Sequence, residues 1–164
     1  MLPYDFAKIR ECPDKEAACH AVFDEAHTKW TFEGRNAINE SQLTVMCVET
    51  YFGEVCNGGL DQYLFNESGR NASFGPEALR RVHLPKYAAI LEEALNRCTN
   101  TPEENEFGIM EDFFEPPDSD DDDDGPLGDL DQRFFKLYFA NKTEFRDKLF
   151  QYIVDNEPDF LSVG

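Results

Sequence analysis

Basic side chains are the scarce class in this chain: 15 Lys and Arg stand against 34 Asp and Glu, a formal net charge of -19. Arg80-Arg81 is the only adjacent basic pair. A duplex, an anionic lipid surface or a phosphorylated metabolite would meet repulsion almost everywhere, so direct nucleic-acid binding and membrane-surface binding are excluded. Long apolar runs are missing too. No stretch approaches the ~20 apolar residues needed to cross a bilayer, and Met1 to Arg10 carries no apolar core of signal-peptide length. The five cysteines, Cys12, Cys19, Cys47, Cys56 and Cys98, are odd in number and show no C-x-x-C spacing. A reduced, cytoplasmic protein is expected. Histidines are few, and His20, His27 and His83 fall in no carboxylate–histidine–nucleophile grouping and at no zinc-ligand spacing. Without a phosphate-binding Gly loop as well, a protein with no catalytic role, metal or cofactor is expected.

What is present is acid and aromatic. Residues 1–100 hold 15 acids and 10 bases, whereas residues 101–164 hold 19 acids and 5 bases. The bias peaks between Glu103 and Asp131, where fourteen acids occur with no Lys or Arg, including the unbroken run Asp120 to Asp124. Charge on this scale opposes compaction, and it also keeps many proteins soluble with no further role. The chain is no disordered acidic tail, because 41% of residues are apolar and fifteen are Phe. At 164 residues it is expected to form one domain, residues 1–164, burying roughly 70% of the surface its unfolded chain exposes.

The apolar periodicity is helical nearly throughout. Tyr87, Ile90, Leu91, Ala94, Leu95 and Cys98 form a stripe behind Pro85, which suits a first helical turn. Asp14 opens a helix through Ala18, Val22, Ala26 and Trp30, and Pro76 starts a short one carrying Leu79 and Val82. Asp129 is the predicted N-cap of a helix through Leu130, Phe134, Leu137 and Tyr138; Thr143 is that of one through Phe145, Leu149, Tyr152 and Ile153. From Ser41 to Cys56 two apolar stripes, Leu43–Met46–Cys47 and Val45–Val48–Phe52–Val55, cover most of one helix. Such a helix is buried centrally. No segment shows a period of two between hairpin turns, so no sheet is expected. The fold class is all-α: a single-domain helical bundle around a buried central helix. Residues 115–128, bracketed by Pro116-Pro117 and Gly125-Pro126, are predicted as an acidic surface loop.

The aspartate run also fits a calcium-loop template. Asp120, Asp122 and Asp124 take positions 1, 3 and 5, Gly125 position 6 and Asp131 position 12. Against it, Asp131 stands where a bidentate Glu is expected, and Pro116-Pro117 breaks the incoming helix. A divalent-cation-binding helical protein remains the alternative reading.

The central helix runs through Glu49-Thr50-Tyr51-Phe52-Gly53-Glu54-Val55-Cys56 into Asn57-Gly58-Gly59-Leu60-Asp61-Gln62-Tyr63-Leu64-Phe65-Asn66-Glu67-Ser68-Gly69. Asn57-Gly58-Gly59 reads as a helix stop with freedom for positive φ, and Leu60, Tyr63 and Leu64 restart an amphipathic turn. This stretch resembles the NGG–aromatic segment of a bacterial helical family long without a function, the family of the small acidic neisserial DNA mimics. The Pro-rich acidic loop and the Phe-rich C-terminal helices extend the resemblance over most of the chain. The NGG segment implies the fold rather than the activity.

The resemblance implies that carboxylates stand where a duplex presents phosphates. The implied partner is a basic, dimeric helix-turn-helix repressor of the xenobiotic-response-element class, whose DNA-binding face would be occupied and whose operator binding blocked. The magnitudes permit it: at one charge per ~1.7 Å of duplex axis, 19 net charges match ~32 Å of B-DNA. A globule of this length has a diameter of about 40 Å. The candidate phosphate mimics are Glu103, Glu104, Glu106, Glu111, Asp112, Glu115, Asp118, Asp120, Asp121, Asp122, Asp123, Asp124, Asp129 and Asp131. Asp14, Glu16, Asp24, Glu25 and Glu33 are further contributors. A two-fold homodimer would suit a dimeric repressor.

Overall fold

The computed structural model describes residues 5–118 and 125–161. Its elements follow in the order α1 (Phe6–Glu11), α2 (Lys15–Glu33), α3 (Glu40–Phe65), α4 (Gly75–Arg81), α5 (Pro85–Arg97), β1 (Thr99–Asn100), β2 (Glu103–Glu104), β3 (Met110–Glu111), β4 (Phe114–Glu115), α6 (Gly128–Ala140), α7 (Glu144–Asp155) and α8 (Glu157–Leu161). A run of 3-10 turns, Glu67–Phe74, joins α3 to α4. The class is all-α.

Asn39 starts the helix around which the rest packs. Its side chain accepts the Gln42 N–H at 2.9 Å, and the Gln42 side-chain oxygen accepts the Asn39 N–H at 3.0 Å. This reciprocal cap satisfies donors that a helix start leaves open. Beyond it, every residue from Ser41 to Glu49 is buried. The helix is enclosed by α2, α4, α6, α7, α8 and the 3-10 segment, as an apolar circumference requires. The core is aromatic at its centre. Phe52 stacks on Phe145 with centroids 4.0 Å apart, and meets Tyr87 edge-on at 4.9 Å. Phe134 contacts Tyr51, Phe52 and Tyr87 within 5.6 Å. Cys19 and Cys47 are small hydrophobes in this interior; burial pushes their thiols up to about 11 and about 12, so both stay protonated.

The Asn57-Gly58-Gly59 stretch stops the first segment of α3, and a second segment restarts at Leu60 across the kink, as the sequence implies. Gly58 leaves helical geometry at φ -151°, and Gly59 takes φ 79° with ψ -178°. The second segment of the helix then starts with Leu60 N–H open. Asp131 Oδ1, from the first turn of α6, accepts it at 2.8 Å. The corner is therefore capped from another helix. A Cβ on Gly59 would come within 2.6 Å of Asp131 Oδ2, so glycine serves both the dihedral and the approach.

Three expectations are corrected, and a fourth is met in position only. A sheet is present, in two short antiparallel ladders: β1 with β4 and β2 with β3. Two-residue strands leave no period of two to read. Leu127, not Asp129, holds the N-cap position of α6. Thr143 does sit at the N-cap of α7, but it makes no side-chain cap, and its hydroxyl lies 3.3 Å from Asn141 Oδ1. The 115–128 stretch is not loop at its ends, since Glu115 belongs to β4 and Gly128 to α6. Residues 119–124, with the run Asp120 to Asp124, lie outside the described residues.

Candidate protein-interaction surface

Between α5 and α6 the chain runs out and back as a bent hairpin. Thr99 pairs with Glu115 and Asn100 with Phe114; further out, Glu103 pairs with Glu111 and Glu104 with Met110. The tip is organised by one side chain. Asn105 Oδ1 accepts the N–H groups of Phe107 and Ile109 at 2.9 and 3.0 Å, and its backbone N–H donates to the Ile109 carbonyl at 2.8 Å. Gly108, at φ 74°, closes the turn. Side chains alternate across a strand, yet Glu103 and Glu104 are both exposed. Phe107 and Met110 are 68% and 59% exposed. The hairpin forms an acidic finger that lies along the helical body, its Ile109 Cδ1 3.7 Å from the point where Gly34 would carry a Cβ, with Glu103, Glu104 and Glu106 turned to solvent.

Its root is fixed by Asp112. The Asp112 N–H donates to the Arg70 carbonyl at 2.9 Å, while the carboxylate accepts from the Ser73 N–H at 3.0 Å and from Asn100 Nδ2 at 2.9 Å. Glu111 is buried, 3.7 Å from the Arg70 guanidinium, and accepts from Asn105 Nδ2 at 3.1 Å. That inward turn relieves the like-charge pairing with Glu103 opposite.

The fourteen acids of the 103–131 stretch thus separate by environment. Glu103, Glu104, Glu106, Glu115 and Asp118 are exposed and have no ion-pair partner among the described residues. Glu111 and Asp112 hold the finger together. Asp129 forms two hydrogen bonds with Arg97, at 2.6 and 2.8 Å, which hold its carboxyl below the usual range. Asp131 is half-buried on the Leu60 N–H, and burial pushes its carboxyl up. Of the candidates, Glu111 is therefore buried and not displayed, while Asp112, Asp129 and Asp131 already hold partners within the chain. Asp120 to Asp124 fall on residues outside the description. Of the further contributors, Glu16, Asp24 and Glu33 are exposed, Asp14 caps α2 through the Ala17 N–H at 3.1 Å, and Glu25 is buried against Lys29 at 3.1 Å.

Basic side chains on the body are largely committed. Arg146 pairs with buried Glu49, Arg10 with Glu157, and Arg81 with Glu40 and Glu77 at 3.0 and 2.6 Å. Lys15 meets Asp147 at 2.7 Å and Arg80 meets Glu92 at 2.7 Å. At 0.15 M salt the Debye length is ~8 Å, so exposed cations elsewhere on the globule neutralise the finger only weakly. Among the described residues no group of three or more His, Cys, Asp or Glu is placed to hold a metal, and Asp131 of the calcium template gives one oxygen to Leu60. No helix among them is long and apolar enough to cross a membrane.

The described residues thus form a helical body with a hairpin on which Glu103, Glu104 and Glu106 are exposed and have no ion-pair partner among them. The chain belongs to the DMP19-like protein family, which matches residues 36–156 and is a family of DNA mimics. The match takes in the capped central helix, the kinked corner, the finger and α6 and α7. No curated protein and no solved structure matches the chain.

Proposed function

We propose that this protein is a non-enzymatic DNA mimic that occupies the DNA-binding face of a basic helix-turn-helix repressor of the xenobiotic-response-element class and so relieves repression. The observation that carries the reading is the set Glu103, Glu104, Glu106, Glu115 and Asp118: exposed, without ion-pair partners among the described residues, and presented on and beside the hairpin between α5 and α6. The Asp120–Asp124 run follows directly in sequence and adds to the same charge. A repressor's Arg and Lys side chains that contact phosphates would meet these carboxylates instead, and one set of side chains cannot serve both ligands. Complementary fields speed the encounter and reject acidic proteins. The protein itself has no affinity for DNA in this scheme, and it works in the reducing cytoplasm where the repressor does.

Titrating a repressor–operator complex with the protein, followed by mobility shift, tests this. Release of free operator, with no slower ternary band, is the expected result. A ternary complex with operator still bound contradicts the mechanism even where the two proteins interact. Binding should weaken with salt, on a shallower slope than for DNA, because a globular carboxylate surface condenses fewer counterions than a duplex.

A further inference from the structure

Beside the finger lies a groove of about 590 Å³ whose makeup differs from a displayed acidic surface. Its apolar walls come from three places: Phe23 and Trp30 on α2, Met46 on α3, and Phe107 and Ile109 at the fingertip. Ile109 holds the tip against the end of α2, its Cδ1 lying 3.7 Å from the point where Gly34 would carry a Cβ. Carboxylates are set among these apolar groups. Among the described residues Glu54 accepts only a neutral hydrogen bond, from Gln62 Nε2 at 3.0 Å, and Glu67 is met at 3.5 Å by Arg70, which also serves Glu111. Exposed Asp24, Glu104 and Glu106 adjoin the groove's lining residues in sequence.

Aromatic faces beside incompletely used carboxylates suit one cation better than another. A guanidinium is planar and weakly hydrated; it stacks on aromatic rings and takes a carboxylate at the same time. An ammonium is a strongly hydrated point charge that gains less from the rings. Phosphates offer no such discrimination, since a duplex backbone presents charge without an apolar wall. We propose that this groove is an arginine-selective docking site, in which an Arg side chain from a basic protein segment lies against Trp30 and Phe107 and pairs with Glu54. The inference rests on the partner being a basic DNA-binding protein, and adds that Arg rather than total charge selects it.

Trp30 is the only Trp in the chain, so its fluorescence reports occupancy directly. The probes are three peptides of equal length, carrying Arg, Lys or Leu at the same alternating positions between alanines. The Arg peptide is expected to bind about fivefold tighter than the Lys peptide and to quench Trp30. Phe107→Ser alters an exposed side chain and should abolish the Arg preference by weakening the Arg peptide more than the Lys peptide; Glu54→Gln keeps the neutral contact with Gln62 and should weaken both basic peptides, the Arg peptide more. Equal binding of Arg and Lys peptides, a preference that survives both substitutions, binding of the Leu peptide, or no binding of any peptide overturns the proposal. The operator-release titration is repeated with Phe107→Ser. A higher concentration required for release, alongside the lost Arg preference, supports the groove as the selective element, whereas undiminished release there means that total charge selects the partner and overturns it. Wild-type protein that prefers the Arg peptide but never releases operator would sink the DNA-mimic reading and leave the groove standing.

Discussion

The finger and the seam between α5 and α6 hold the same kind of side chain and use it in opposite ways. In the seam, Arg97 lies between Glu93 at 2.9 Å and Asp129 at 2.6 Å, and Arg133 reaches Glu93 at 2.5 Å. Hydrogen bonds from Arg133 and Arg97 hold the Glu93 carboxyl below its ordinary value. In the finger, Glu103, Glu104 and Glu106 face solvent with no such partner among the described residues. Carboxylates of the first kind orient helices; those of the second kind leave a field outside the molecule. An acid's role here follows from whether a base lies within reach, and sequence separation does not reveal that: Arg97 and Asp129 are 32 residues apart.

The sharpest way to break the comparison is to unpair a carboxylate that the body has buried. Glu49 and Arg146 have side chains 7% and 14% exposed, and His20 Nε2 approaches Glu49 at 3.6 Å. Arg146→Ala strands a buried charge and should lower unfolding free energy by about 3–5 kcal/mol in urea denaturation. Replacing both partners with apolar residues of similar volume should recover most of that loss. A double variant as unstable as Arg146→Ala would mean that Glu49 has a role beyond its partner.

The kinked corner should give the next largest effect. Gly59→Ala places a side chain at φ 79° and within 2.6 Å of Asp131 Oδ2, so a loss of about 1–3 kcal/mol is expected from thermal or urea unfolding. The Leu60 cap should be lost with it.

Asp131 sharpens the contrast through pH. Burial raises its carboxyl pKa, so the favourable contribution of its protonated form is fully present below the unfolded value of ~3.9 and is lost as pH rises through the folded value. Asp129 and Glu93 have depressed values. Their contribution is present above the unfolded carboxylate range and disappears as pH falls through the folded values. Asp131→Asn keeps an oxygen for the Leu60 N–H and removes the buried charge. Its stability relative to wild type should therefore be greater at pH 7 than at pH 4, read from urea midpoints at the two values. Asp131→Ala lacks the acceptor and should be about 1–2 kcal/mol less stable than the Asn variant at pH 4, where the charge matters least.

Smallest of all should be the effect of the finger's own acids on stability. Converting Glu103, Glu104, Glu106 and Glu115 to Gln, with Asp118→Asn, should move unfolding free energy by no more than about 0.5 kcal/mol in urea denaturation, and in the stabilising direction if repulsion is relieved.

The helices were legible where burial follows a period. The stripe of α5, the Asp14 cap of α2 and the doubly apolar α3 all appear in the structure because each rests on contacts within a few residues. Gly59's positive φ was legible too, as a property glycine alone makes cheap. The finger was not. Its strands are two residues long, and Glu-rich sequence has low strand propensity. The signal available was local: Asn105 followed by Gly108 marks a tight turn, and the segment reverses there. Within the candidate site, the charge of the 103–131 stretch was plain, but the burial of Glu111 and the commitments of Asp112, Asp129 and Asp131 depend on Arg70, Ser73, Arg97 and Leu60, partners that no spacing rule brings together.

The central claim is that the finger's carboxylates bind and the body's carboxylates fold. Two variants of equal charge test it most directly in the repressor–operator release titration. One carries the five finger amides; the other carries amides at five exposed, paired body positions, Asp5, Glu40, Glu77, Glu92 and Asp147. The account predicts that the finger variant loses operator release at least tenfold in the concentration required, while the body variant stays close to wild type after correction for its folded fraction. Equal losses would make net charge the active property, and would contradict the account.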